Sequence, residues 1–202
     1  MVGDILAVKL SNGNIFEIYR EEYPESPRRW DNLGTMVCWH RKYNFGDKHD
    51  FKSPEEFLSW WTAFGKDGVI LSVYMYEHSG ITIKTTEFDD TWFSGQIGYI
   101  YATGDTIKKN MKHRDRRLSA MEKIGITPET KEKVKQILID EVSVYDEYIS
   151  GNVYGYRIRT DDGTIIDSCS GYYGDIDENG ILEVLSAEDA RRVCLRYSKY
   201  PV

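Results

Sequence analysis

The chain has no apolar, uncharged run of the roughly 18 residues that a membrane-spanning helix requires. Its three cysteines, Cys38, Cys169 and Cys194, are an odd number without C-x-x-C spacing, which excludes a zinc ribbon and argues against a disulfide framework. Reduced thiols are expected. The opening Met1-Val-Gly-Asp-Ile carries neither a basic stretch nor an apolar core, so no secretory signal is expected and a cytosolic protein is. There is no Walker glycine loop, no G-x-G-x-x-G after a strand, no G-x-S-x-G elbow and no H-E-x-x-H. These absences leave no expectation of a cofactor or a metal. No linker, internal repeat or low-complexity tract divides the chain, and one domain over residues 1–202 is expected, long enough to bury a core without staples.

What is abundant is aromatic surface: 15 Tyr, 7 Phe and 5 Trp. Tyrosine suits half-buried strands and contact surfaces alike. Charge is unevenly laid out. Residues 108–117 hold six bases and one acid, whereas Asp161 to Asp189 holds nine carboxylates and no Lys or Arg. The acidic stretch repels nucleic-acid phosphates, and it would suit the basic groove of a nucleic-acid-binding protein; it also serves as a solvated face. The basic run, with Tyr99 and Tyr101 nearby, has the makings of a single-strand site, but the net charge of −7 disfavours direct nucleic-acid binding.

Local grammar predicts an α+β fold with a mainly antiparallel twisted sheet and about three helices packed on it. One hairpin runs Ile5–Leu10 to Ile15–Tyr19 around Asn12-Gly13, and another runs Val153–Arg159 to Ile165–Cys169 around Asp161-Asp-Gly. Short strands are expected at 33–40, 81–86 and 98–102, with a central apolar strand at 69–76. Ser53-Pro-Glu-Glu starts a helix that ends at Gly65, Thr127-Pro-Glu starts one that ends at Gly151, and Ser186-Ala-Glu-Asp starts a last one.

Two histidines fall at strand ends. His40 closes Met36-Val-Cys-Trp-His and His78 sits in Glu77-His-Ser79-Gly, and with Asp31, Glu77, Asp89 or Asp146 nearby they suit acid–base work or a divalent ion, although their spacing matches no ligand pattern. Bracing of turns by the same rings is the alternative. Glu141 shares a helical face with Tyr145 and Tyr148, so it needs a buried partner, for which a tyrosine hydroxyl or a lysine is expected. Together Glu141, Tyr145, His40 and His78 would line a recessed pocket for a small polar ligand. Asp175-Ile-Asp177-Glu-Asn179-Gly begins like a calcium loop, but its twelfth place is Ser186, which reads as a helix cap. Cys38 and His40 share a strand face, and a packed thiol rather than a nucleophile is expected there.

Five strings in order carry a family resemblance: Asp31-Asn32-Leu-Gly-Thr-Met-Val-Cys-Trp-His40-Arg41-Lys-Tyr, Glu77-His78-Ser79-Gly-Ile-Thr, Ser94-Gly-Gln-Ile-Gly, Glu141-Val-Ser-Val-Tyr145-Asp146-Glu-Tyr, and Asp167-Ser-Cys-Ser-Gly-Tyr-Tyr-Gly. Over about residues 28 to 174 the chain resembles a family of uncharacterised proteins carried by phages, plasmids and other mobile elements. The family usually has Asp-His-Ser-Gly where Glu77 stands and Trp-Asp-Ser-Gly where Trp92-Phe93 stands; chemistry that needs the second aspartate would fall to Asp89 or Asp90 here. The resemblance implies a phage-type accessory gene and no reaction; taken with the acidic late segment and the aromatic load, the expectation is a protein that acts by binding a host protein, such as a CRISPR effector, in counter-defence. The alternative is a small hydrolase or nucleotide-processing or nucleotide-sequestering protein. Under either, the candidate ligand or partner residues are Asp31, Asn32, His40, Arg41, Glu77, His78, Ser79, Glu141, Tyr145, Asp146 and Asp167.

Overall fold

The computed structural model describes residues 4–114 and 126–197, so residues 115–117 of the basic run lie outside the described residues. In chain order the elements are β1 (Asp4–Lys9), β2 (Ile15–Arg20), a 3-10 turn (Pro27–Arg29), β3 (Thr35–Cys38), α1 (Pro54–Phe64), β4 (Val69–Glu77), β5 (Ile81–Lys84), β6 (Ser94–Ala102), α2 (Gly104–Arg114), α3 (Pro128–Ile149), β7 (Val153–Arg159), β8 (Ile165–Tyr173) and α4 (Ala187–Tyr197). The protein is α+β, with two antiparallel four-stranded sheets where one was expected and four described α-helices where three were. The additional helix, α2, lacks an apolar stripe that would announce it. It is started by Thr103, whose hydroxyl accepts the Thr106 amide at 3.2 Å, and anchored by the buried Ile107. Among the described residues no helix is long and apolar enough to cross a membrane.

The chain forms two compact units. The first joins Met1–Ser26 to Glu147–Val202, with strand order β1-β2-β7-β8. Both predicted hairpins form, and Gly13 and Gly163 take φ of +89° and +91°, angles that disfavour any residue with a Cβ. The hairpins are joined by β2 and β7, from Ile15 opposite Arg159 to Arg20 opposite Tyr154. Alternation sends Phe16, Ile18, Tyr154 and Tyr156 to one face, where they pack with Ile176, Ile181 and Val193. Ser186 starts α4 by accepting the Asp189 amide at 3.2 Å. The Asp189 carboxylate in turn accepts the amide and hydroxyl of Ser11, at 2.9 and 2.8 Å, which ties the helix to the turn after β1.

The second unit is Pro27–Asp146, with strand order β3-β6-β4-β5, so β4 is interior as its apolar run predicts. The Ser53 hydroxyl accepts the Glu56 amide, starting α1 where the sequence places it. Phe57 of α1 lies fully buried against Tyr99 and Tyr101 of β6, ring centres 5.3 and 5.2 Å apart. Those two tyrosines are therefore part of an aromatic core rather than free platforms for bases. Along α3 the buried side chains are Val134, Leu138, Val142 and Tyr145, the stripe read from the sequence.

Candidate functional site

The predicted site residues fall into three groups, carried by α3, by the segments that flank β3 and β4, and by β8. The first is a buried polar network in the second unit. Arg28, whose side chain is 5% exposed, donates from Nε and Nη2 to the two oxygens of Asp47 at 3.1 and 2.6 Å, and from Nη1 to Glu141 at 3.3 Å. Glu141 also accepts the amides of Leu33 and Gly34, and Asp47 accepts the Met36 amide at 2.7 Å. Glu141 thus finds its partner in an arginine and two backbone amides, not in the tyrosine or lysine expected. Burial pushes its carboxyl above the ordinary 4.5, against the pull of the Leu33 amide and Arg28. The network also explains Gly34, where a Cβ would sit 2.5 Å from Leu138 and 2.8 Å from Glu141.

The neighbouring α3 residues do similar work. The Tyr145 hydroxyl accepts the Gly46 amide at 3.2 Å. Asp146 accepts the Ile83 amide at 2.6 Å and the Thr82 hydroxyl at 2.9 Å, fastening β5 to the helix. Asn32 donates to the Pro27 carbonyl at 2.8 Å, and Asp31 beside it is exposed. Cys38 is a packed thiol, with its pKa pushed up to about 12 by burial and by Asp47.

The second group lines an open cleft of about 350 Å³, bounded by His40, Met75, Glu77 and the run Trp92–Ile97. Of the expected pocket of Glu141, Tyr145, His40 and His78 only His40 lines this cleft; Glu141 and Tyr145 bond backbone amides elsewhere in the unit, and His78 packs on Phe93. His40 Nδ1 accepts the amides of Lys42 and Tyr43 at 3.4 and 3.3 Å, which braces the turn. The ring stacks on Tyr43 with centres 5.2 Å apart and planes 8° from parallel, and Tyr43 stacks on Phe45. Glu77 Oε1 accepts both Lys42 Nζ and the Tyr43 hydroxyl, each at 2.6 Å. Those two bonds hold its carboxyl below the ordinary 4.5. His78 is exposed and meets Phe93 edge to face at 4.6 Å. Arg41 and Ser79 are exposed.

Sequence reasoning does not single out the lip of the cleft as a site. Trp92 is 92% exposed and Phe93 46%, and Asp90 holds the loop by accepting the Trp92 amide at 2.9 Å and, through its carbonyl, the Ser94 hydroxyl at 2.5 Å. The signal that could have found it is Glu87-Phe-Asp-Asp-Thr-Trp-Phe93, an aromatic and acidic run too polar to be a strand.

The third group belongs to the first unit. Asp167, on β8, accepts the Tyr156 hydroxyl at 3.0 Å; burial and that carboxylate push Tyr156 up to about 12. Asn179 braces its own turn, donating to the Gly174 carbonyl and accepting the Ile181 amide. Among the described residues no group of three or more His, Cys, Asp or Glu is placed to hold a metal ion. No protein-family model, no curated protein and no solved structure matches the chain.

Proposed function

We propose that the chain acts by binding, as a mobile-element accessory protein that engages a host protein in counter-defence, with the aromatic cleft as its contact surface. One observation carries this reading: an indole left 92% exposed beside a half-exposed phenylalanine at the lip of an open cleft. Leaving such rings in water forgoes about 1.5–3 kcal/mol of burial for a ring the size of Phe93, and buried aromatics dominate binding hot spots. The ionisable groups beside them favour contact over proton transfer. His40 Nδ1 is engaged by backbone amides, and a carboxyl held below its ordinary value is a weakened base.

The test is protection of a targeted plasmid in a bacterium that carries an active CRISPR system. Expression of the chain is expected to restore transformation, and Trp92→Ala with Phe93→Ala to abolish it, since truncating one such anchor costs about 2 kcal/mol, roughly 30-fold in affinity. Protection by the double variant equal to that of the parent, or no protection by the parent, overturns the reading.

A second reading, a nucleotide-sequestering or hydrolytic protein, is favoured by the cleft volume, which lies within the roughly 300–1,000 Å³ of small-molecule sites. It requires a nucleotide released from the purified protein on denaturation, and its loss in His40→Ala.

A further inference from the structure

Taking the aromatic cleft to be the contact surface, as the proposed function does, we infer that it receives an arginine side chain of the partner protein, its guanidinium stacked on Trp92 and hydrogen-bonded to Glu77 Oε2. Both bonds that Glu77 receives land on Oε1, from Lys42 and Tyr43. Oε2 accepts no hydrogen bond among the described residues, and Glu77 lines the cleft. An acceptor-only oxygen in a cleft that Trp92 and Phe93 also line calls for a donor with a cationic, flat face. A guanidinium meets both demands, because it forks hydrogen bonds in its plane and stacks through its faces. An ammonium is more strongly hydrated and offers no face.

The surrounding charge has the same sense. The run that leads into Trp92 carries Glu87, Asp89 and Asp90, all exposed; Asp90 accepts the Trp92 amide at 2.9 Å, and Glu87 accepts the Tyr74 hydroxyl at 3.2 Å. Of the bases on these segments, Lys42 is already paired with Glu77, Lys84 lies 4.2 Å over the Phe88 ring, and Arg41 is exposed. A phosphate-bearing ligand seated on Trp92 would meet the carboxylates of Glu77 and Asp90, whereas a basic segment is drawn in.

The full chain, labelled with nitrogen-15, is titrated with three blocked tripeptides, glycine-X-glycine with arginine, lysine or citrulline at X. The Trp92 indole N–H resonance is followed, identified by its absence in Trp92→Ala. The arginine peptide is expected to move it saturably, the lysine peptide several-fold more weakly, and citrulline, which keeps the shape without the charge, not at all. Glu77→Gln is expected to weaken arginine binding roughly 2- to 5-fold, the range of an exposed cation–aromatic or charge-assisted contact. Lys42→Met, which removes the competing ammonium, is expected to strengthen it. A variant that merely disturbs the turn weakens binding, so loss in Lys42→Met overturns the inference, as does citrulline binding equal to arginine or an indole resonance that no peptide moves. If the plasmid assay depends on Trp92 while the arginine peptide does not bind, the counter-defence reading stands and this inference fails. If the arginine peptide binds while plasmid protection is indifferent to Trp92, the arginine site stands and the counter-defence reading fails.

Discussion

Arg28 shows how one side chain organises the loops of the second unit. It is almost fully buried, forks onto Asp47, reaches Glu141, and donates to the Gly34 carbonyl at 2.6 Å. Burying a guanidinium costs several kcal/mol, and two carboxylates offset that cost only while all three groups are present. Replacing the arginine leaves the partly buried Asp47 and Glu141 carboxylates without their shared counter-charge. Arg28→Met is therefore expected to lower the unfolding free energy by about 3–5 kcal/mol, read from the urea midpoint at neutral pH. A change within the roughly ±0.5 kcal/mol of ordinary surface substitutions would show that the network contributes specificity without stability.

At the scale of elements, α3 acts as a clamp. Its apolar stripe seats it, and its polar residues Glu141, Tyr145 and Asp146 accept amides from three separate places, Leu33–Gly34, Gly46 and Ile83. The last of these matters most for β5, a four-residue strand that, among the described residues, pairs only with β4. Hydrogen bonds to a charged acceptor contribute about 1.5–3 kcal/mol each. Asp146→Ala is expected to cost about that much and to speed exchange of the Ile83 amide at least roughly tenfold, by local opening of the edge. The Met36 amide, held by Asp47, is expected to keep its protection. Equal acceleration at both amides would mean that Asp146 supports the whole unit and not the edge alone.

Over the whole molecule, the first unit is built from both ends of the chain and carries its own charge centre. Glu17, 3% exposed, sits on the sheet face opposite Phe16 and receives Arg157 at 2.5 Å and Arg159 at 2.7 Å. Burial pushes its carboxyl up, but the two guanidiniums outweigh that and hold it below the ordinary 4.5. A carboxyl depressed on folding contributes stability that is present above its unfolded value and lost as the pH falls through its folded value. The difference in Tm between the parent and Glu17→Gln is thus expected to be steady above pH 4.5 and to shrink below it. A difference that does not change with pH would leave Glu17 without a charged role.

The two hairpins and the starts of α1, α3 and α4 are legible in the sequence because their causes are local: a glycine at positive φ, a hydroxyl on the amide three residues ahead, an apolar residue every third or fourth place. That Glu141 needs a partner is legible too, from its place on an apolar stripe. The partner is not, because Arg28 lies 113 residues away and only packing brings the two together. For the same reason nothing local announces that β2 pairs with β7, which makes one sheet of two hairpins. The site divides along this line. His40 and Glu77 are legible from their positions at strand ends, whereas Trp92 and Phe93 are not, since exposure is a property of what fails to cover a side chain. Short-range stereochemistry is written in adjacent residues, but burial and its opposite are decided by distant segments, and therefore only by the tertiary structure.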